Sequence, residues 1–181
     1  MKFPPSFSLT PPIKKLLYEL DVLKAGYELH HVLAEQAVNL RRASLLKSSL
    51  FSARIEGNPL ELTDIDNLQS NDADRHTVEV SNLAVAYERI SEILGPDVTT
   101  DGLKKLHALV LRSLSGDADH LRQEESAIYN QAGIAVYLTP APQQIRTLLN
   151  ALCAYINATG DHPSVAAGLT HIWFEKIHPF L

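Results

Sequence analysis

The segment THIWFEKIHPF, residues 170–180, contains two histidines and a glutamate at helical spacing. His171, Glu175 and His178 fall at positions i, i+4 and i+7, so one face of a helix can present all three. Pro179 predicts that His178 lies where the helix ends, because proline cannot continue a helix normally. A histidine there titrates near neutral pH and can act as a general base. The alternative is that the C-terminal helix dipole merely stabilises the charged form of His178. His171 is expected to be partly buried.

Two E-x-x-H steps, Glu175 to His178 and Glu28 to His31, raise the question of a metal site. Pairs of such steps occur in helical bundles that hold two iron ions. Those sites also need an inward glutamate from each of two other helices at mid-bundle depth, whereas His178 abuts a proline at a helix end. Short motifs of this kind also arise by chance in a chain with eight histidines. A di-iron carboxylate bundle is therefore the less favoured alternative, and no metal ligand is predicted in this chain.

A second candidate segment is SSLFSARIEGNPL, residues 48–60. Ser52 and Glu56 are four residues apart and share a helix face, and Gly57 can adopt the left-handed conformation that ends a helix. A solvated glutamate beside such a glycine is common. A carboxylate at a helix C-terminus is slightly unfavourable, however, so the position of Glu56 suggests a cationic partner elsewhere.

Helical periodicity dominates the elements that must position these residues. Apolar side chains recur at three- and four-residue steps over residues 13–23, 103–114 and 145–156, and further helices are predicted at about 28–56, 77–94 and 163–178. The segment SAIYNQAGIAVYLTPAP instead predicts a hairpin, with strands near 127–130 and 134–138. The predicted fold class is all-α, a helical bundle with one short β-hairpin flap. Residues 1–12, which contain four prolines, are predicted to form an extended arm before one domain over 13–181.

Composition limits the classes of function. A chain of 181 residues with 45% hydrophobic and 20% charged residues is typical of a soluble protein, and the net charge of −5 argues against nucleic-acid binding. No stretch has the roughly 20 apolar residues that span a bilayer, so no membrane contact is predicted. Cys153 is the single cysteine and cannot form an internal disulfide, which favours a cytoplasmic location and a packing role for its thiol.

Three segments occur in one order on this helical background: residues 52–57, the hairpin, and HIWFEKIHPF. Together they resemble the Fic family of protein adenylyltransferases, whose catalytic signature reads H-P-F-x-[DE]-G-N-G-R-x-x-R. The resemblance covers about residues 44–181. The first three catalytic positions are matched by His178, Pro179 and Phe180, with Leu181 in the variable one. A subset of the family carries an inhibitory [ST]-x-x-x-E-[GN] helix, and Ser52, Glu56 and Gly57 match that pattern on a helix at about 44–57.

The resemblance implies transfer of AMP from ATP to a Ser, Thr or Tyr hydroxyl of a target protein, with His178 as the base and Phe180 packed inward. ATP and Mg²⁺ are implied for the complete protein. Glu56 would pair with the second arginine of the signature and inhibit the reaction. The flap, at about 126–139, would dock the target backbone by strand addition through Ile134, Ala135, Val136, Tyr137 and Leu138.

The sequence ends at Leu181, before the acidic residue, the Gly-Asn-Gly turn and the arginines of the signature. We therefore expect the N-terminal portion of a Fic-like protein that is truncated, inactive alone and without tight binding of ATP or Mg²⁺. Its last helix is expected to leave an apolar patch near residues 165–181 that promotes self-association. The alternative is a non-catalytic helical binding module or a decayed remnant of such an enzyme.

Overall fold

The structure is a computed structural model that describes residues 6–28, 34–67, 74–116 and 118–181. Within those residues the chain forms six α-helices, one short 3₁₀ helix and one hairpin, which confirms the all-α class with a β-flap. The helices are α1 (Pro11–Glu28), α2 (Ala34–Ile55), α3 (Arg75–Leu94), α4 (Thr100–Val110), α5 (Pro142–Ala158) and α6 (Pro163–Ile177), with the 3₁₀ helix at Leu62–Asn67. The strands are β1 (Ala127–Tyr129) and β2 (Ala135–Leu138).

The described residues group into two compact units. The first, called the flap unit below, comprises residues 6–28, 98–100 and 121–181, and contains α1, the hairpin, α5 and α6. The second, called the Glu56 unit, comprises residues 34–67, 74–97, 101–116 and 118–120. It contains α2, the 3₁₀ helix, α3 and the part of α4 that follows Thr100.

The core of the flap unit lies between α5 and α6. Ile145, Leu149 and Leu152 of α5 are buried, and their four- and three-residue spacing places them on one face of that helix. Trp173 and Ile177 of α6 are buried as well. Both helices begin at a proline, which suits the first turn because its N–H groups have no intrahelical acceptor. Cys153 is also buried, and burial raises the pKa of its thiol, so its predicted packing role is confirmed.

The core of the Glu56 unit is formed by α2 and α3, where Leu50, Ala53 and Val80 are buried together. The buried side chain of Asn82 on α3 holds the end of α4, because its Nδ2 donates to the carbonyl oxygens of Val110 at 3.0 Å and Arg112 at 2.7 Å. These contacts hold the end of α4 against α3.

One predicted boundary near the N-terminus needs correction, and a second is not tested. The structure describes α1 as far as Glu28 and α2 from Ala34; residues 29–33, where the second helix was predicted to begin and where His31 of the E-x-x-H step lies, are outside the described residues. Pro11 and Pro12, assigned by sequence to the extended arm, form the first turn of α1 instead. Proline is tolerated there because the first N–H groups of a helix make no intrahelical bond.

The apolar surface predicted near residues 165–181 is smaller than the apolar sequence of α6 suggests. Trp173 and Ile177 are buried against the flap-unit core, whereas Ile172 and Leu181 are exposed. Self-association through this segment stays a prediction. Among the described residues, no helix combines the length and the apolar character that crossing a bilayer requires.

Candidate functional site

His178 lies at the end of α6, as the adjacent proline predicts. The helix ends at Ile177, and the backbone N–H of His178 donates to the carbonyl oxygen of Phe174 at 2.9 Å. His178 itself adopts the left-handed conformation, with φ 46° and ψ 65°, which turns the chain away from the helix axis. Its side chain is half-buried, so the imidazole combines a fixed backbone with partial access to solvent.

Phe180 packs back onto α6. Its ring lies 6.2 Å from the ring of Phe174, centroid to centroid, with the planes tilted by 49°. Aromatic pairs favour tilted arrangements at this distance over a face-to-face stack. Phe180 is half-buried and Pro179 is buried, whereas Leu181 is exposed. Phe180 therefore contacts α6 two residues after His178.

The other titratable residues of this helix face solvent. His171 and Glu175 are both exposed, so the expectation that His171 is partly buried is wrong. The reason is angular, because His171 lies about 200° around the helix from buried Trp173. No group of three or more His, Cys, Asp or Glu side chains within the described ranges is arranged to hold a metal ion.

Arg122 is a residue that the sequence analysis missed. Its side chain is 4% exposed, and its guanidinium donates to four carbonyl oxygens. Nε reaches the oxygen of His178 at 2.6 Å, and Nη1 reaches that of Glu124 at 2.7 Å. Nη2 reaches the oxygen of Pro140 at 2.7 Å and that of Ile177 at 3.3 Å. One guanidinium thus joins the end of α6 to both ends of the hairpin segment.

The charge of Arg122 is compensated by backbone dipoles. The acceptors of its guanidinium found among the described residues are all carbonyl oxygens, and two of them lie at the negative C-terminal end of α6. Burial lowers the pKa of Arg122 from the ordinary value of arginine, but a guanidinium stays protonated in proteins. A lone arginine in a loop carries no sequence signal of such a role.

The flap is an antiparallel hairpin, as predicted. Ile128 pairs with Tyr137, Tyr129 pairs with Ala135, and the skipped Val136 marks a bulge. A turn at residues 130–133 closes it, with the N–H of Gly133 donating to the oxygen of Asn130 at 2.9 Å. Gly133 has φ 73°, a conformation that favours glycine.

Strand β2 and the residue before it present apolar side chains to solvent. Ile134, Val136 and Leu138 are 62%, 61% and 78% exposed, and Ala135 is exposed as well, while Tyr137 is half-buried. Within the described ranges the sheet has two strands, so the outer edge of β2 has no strand beside it. Simple core cover was the alternative role of this hairpin, and the exposure of its apolar residues does not favour it.

A groove of about 430 Å³ lies at the base of the flap. It runs from Glu125 and Ser126 across to Leu138 and Thr139, and Tyr129 lines it as well. The hairpin is closed here by Thr139, whose N–H and hydroxyl both donate to the oxygen of Ser126, at 3.2 Å and 2.7 Å. Residues of both strands, Tyr129 and Leu138, thus line the groove.

The predicted inhibitory segment ends α2 with a Schellman motif. The N–H of Asn58 donates to the oxygen of Ala53, and the N–H of Gly57 donates to that of Arg54, each at 3.0 Å. Gly57 has φ 93°, so its predicted role in ending the helix is confirmed. Ser52, on the same helix, lies with its hydroxyl 3.2 Å from the hydroxyl of Tyr87 on α3.

Asn58 was not singled out by sequence, although it holds this helix end in place. It is 5% exposed, and its Nδ2 donates to the oxygen of His76 at 3.0 Å and to Oε2 of Glu79 at 2.9 Å. Its Oδ1 accepts from the N–H of Leu60 at 3.0 Å. The only sequence signal is an amide residue directly after the glycine that ends the helix.

Glu56 lies on the rim of a cavity of about 250 Å³ within the Glu56 unit. Arg75, His76, Glu79 and Ser115 are among the other lining residues. The side chain of Glu56 is exposed and makes no ion pair with any described residue. The structure thus brings His178, Pro179, Phe180 and the flap into one unit, and Ser52, Glu56 and Gly57 into the other.

Comparison with known proteins gives two positive findings. A model of the Fic/DOC family matches residues 97–181, the stretch that includes the flap, α6 and His178. The chain is also similar to the crystal structure of a Fic family protein from Desulfovibrio desulfuricans G20, with a TM-score of 0.81 and 25% sequence identity. That similarity covers 98% of this chain and 55% of the other, so this chain spans about half the length of the protein it matches. None of the curated proteins matches. The resemblance stated from the sequence is thus confirmed, by the Fic/DOC family model over residues 97–181 and by the fold.

Proposed function

We propose that the protein is a Fic-type protein adenylyltransferase that transfers AMP from ATP to a Ser, Thr or Tyr hydroxyl of a target protein. One observation carries the proposal: His178 occupies a fixed left-handed turn in the same unit as a flap with an open apolar edge. Transfer of AMP to a protein hydroxyl needs two parts from this stretch of the chain, a general base and a strand that docks the target. The cytoplasm is the proposed location, since ATP is available there and Cys153 stays reduced.

In this reaction His178 takes the proton of the target hydroxyl. The hydroxyl oxygen forms a bond to the α-phosphorus of ATP, and the bond from that phosphorus to the bridging oxygen of the β-phosphate breaks. AMP is then attached to the target, and pyrophosphate leaves. Mg²⁺, when bound, would neutralise charge on the phosphates. The half-buried imidazole of His178 suits a base that must reach a substrate while its backbone stays fixed.

The flap would hold the target in place by strand addition. The free edge of β2 offers backbone N–H and C=O groups to an extended peptide, and such pairing does not depend on the side chains of the target. Val136 and Leu138 add exposed apolar surface on this strand. The groove at the flap base would receive side chains of the docked peptide.

Glu56 is proposed as an inhibitory carboxylate. It would pair with the second arginine of the catalytic signature and draw that arginine away from the γ-phosphate of ATP. Support comes from the carboxylate itself, which is exposed, has no ion-pair partner among the described residues and follows a helix C-terminus, where negative charge is unfavourable. The Schellman motif and Asn58 give its backbone a fixed position.

The role of His178 can be tested with labelled ATP and the full-length gene product. His178→Ala should lower transfer of the α-phosphate label to protein by about a hundredfold or more, the usual range for loss of a general base. His171→Ala is the matched control, because it removes an exposed imidazole from the same helix and should leave transfer unchanged. Equal transfer by His178→Ala and the unchanged protein would refute the proposed function.

The inhibitory role is tested by Glu56→Gly in the same assay, which should raise transfer. Glu61→Gly is the control, since Glu61 is also exposed and also lies outside the helices of the Glu56 unit. If Glu56→Gly and Glu61→Gly give the same transfer as the unchanged protein, Glu56 is not inhibitory.

A further inference from the structure

We infer that Arg122 is a positioning residue for this reaction, which holds the His178 turn in register with the base of the flap. The inference rests on the proposed function, because it assigns a role within the same site. It is carried by the five hydrogen bonds of Arg122, which link three separate segments of the flap unit.

Arg122 constrains the positions of the segments that it binds. The guanidinium is planar and presents its donors in a rigid fork, so the acceptors that it binds are held at set distances from one another. Here the fork joins His178 at the end of α6, Glu124 just before β1 and Pro140 just after β2. The backbone N–H of Arg122 adds a bond to the oxygen of Pro179 at 2.9 Å.

The left-handed conformation of His178 also depends on Arg122. A residue other than glycine is strained in the left-handed region, so the surroundings must hold it there. Arg122 binds the oxygen of His178 itself and of its neighbour on each side, Ile177 and Pro179. Without the guanidinium, the carbonyl oxygens of Ile177 and His178 lose this donor, and the turn is free to relax to a less strained backbone.

The position of the His178 turn affects the rate of the reaction. A target hydroxyl docked on the flap must meet the imidazole of His178, and the separation of flap and imidazole depends on the segments that Arg122 joins. Loss of the guanidinium should therefore reduce the rate of the chemical step more than it weakens binding of ATP. A displacement of about 1 Å between reacting groups can lower a rate about a hundredfold.

The experiment compares Arg122→Lys and Arg122→Ala with Arg146→Ala in the full-length gene product, with peptide or protein substrate and labelled ATP. Arg146 is exposed on α5 in the same unit and serves as the control. Arg122→Lys keeps the charge but offers donors from a single point, so it cannot span the same acceptors. We expect kcat to fall about a hundredfold in both Arg122 variants, with the KM for ATP little changed. Added guanidinium should restore part of the rate of Arg122→Ala and none of the rate of His178→Ala.

A second readout does not depend on activity. In NMR spectra, the Cα and Cβ shifts of His178 should move away from left-handed values in Arg122→Lys and stay unchanged in Arg146→Ala. Unchanged His178 shifts in Arg122→Lys, or turnover equal to that of the unchanged protein, would overturn the inference. Absence of AMP transfer in the unchanged protein would instead overturn the proposed function, and the shifts would still decide whether Arg122 positions His178. If Arg122→Ala does not fold, Arg122→Lys alone decides both readouts.

Discussion

Replacing Asn58 by alanine tests how the end of α2 is held within the Glu56 unit. The side chain is almost fully buried and makes three hydrogen bonds, to the carbonyl oxygen of His76, to the carboxylate of Glu79 and from the N–H of Leu60. Alanine removes all three at once and leaves the two backbone groups in place. Because the site is poorly accessible to water, solvent replaces the lost partners only in part.

The expected loss of unfolding free energy follows from the kinds of group that Asn58 binds. A bond between neutral groups contributes about 1 kcal/mol, a bond to a charged group contributes more, and we expect Asn58→Ala to lower the free energy of unfolding by about 3 kcal/mol. At an m-value of about 2 kcal/mol per M, the urea midpoint should fall by about 1.5 M. Asn58→Asp should be at least as destabilising at neutral pH, because it places a second carboxylate beside Glu79.

Urea unfolding followed by far-UV circular dichroism measures the change, and hydrogen exchange of the Leu60 amide reports it locally. Asn39→Ala is the control, since Asn39 is exposed on α2 and should change stability by no more than about 0.5 kcal/mol. A urea midpoint for Asn58→Ala equal to that of Asn39→Ala would show that this amide does not hold the helix end.

Three further predictions concern other residues. Gly57→Ala should lower the free energy of unfolding by about 1 kcal/mol in urea titrations, because φ is 93° and no neighbouring atom blocks the added Cβ. The free energy of unfolding should fall as the pH drops below 6.5, because burial lowers the pKa of His107 and the unfolded chain then binds the proton more readily. His107→Asn should reduce that fall, measured as the difference in urea midpoint between about pH 7.5 and about pH 5. Cys153 should react with a thiol reagent only at the rate of unfolding, since burial raises the pKa of its thiol; fast reaction with the native protein would contradict this.

The sequence predicts most helices and the ends that depend on residue type. Gly57 and Pro179 mark the ends of α2 and α6 correctly, because a left-handed turn and a missing N–H are properties of the residues themselves. The hairpin is predicted for the same reason, with Gly133 in its turn.

Arg122 and Asn58 show why part of the site is not predicted. The guanidinium of Arg122 donates to backbone carbonyl oxygens and the amide of Asn58 donates to one, and the bond from Arg122 to His178 spans 56 positions along the chain. Every residue carries a carbonyl group, so such a bond leaves no pattern of residue types in the sequence. Contacts of this kind become visible only when the fold brings the segments together.

Because the backbone of His178 is left-handed, the residue that would best stabilise the fold at this position differs from the one that the proposed reaction needs. Glycine would adopt φ 46° without strain, whereas any other residue in this region costs about 1 kcal/mol. A protein selected only for resistance to heat would therefore favour glycine at this position. Screens that reward folding alone should accumulate His178→Gly, and the sturdier proteins so obtained would lack the imidazole on which the proposed chemistry depends.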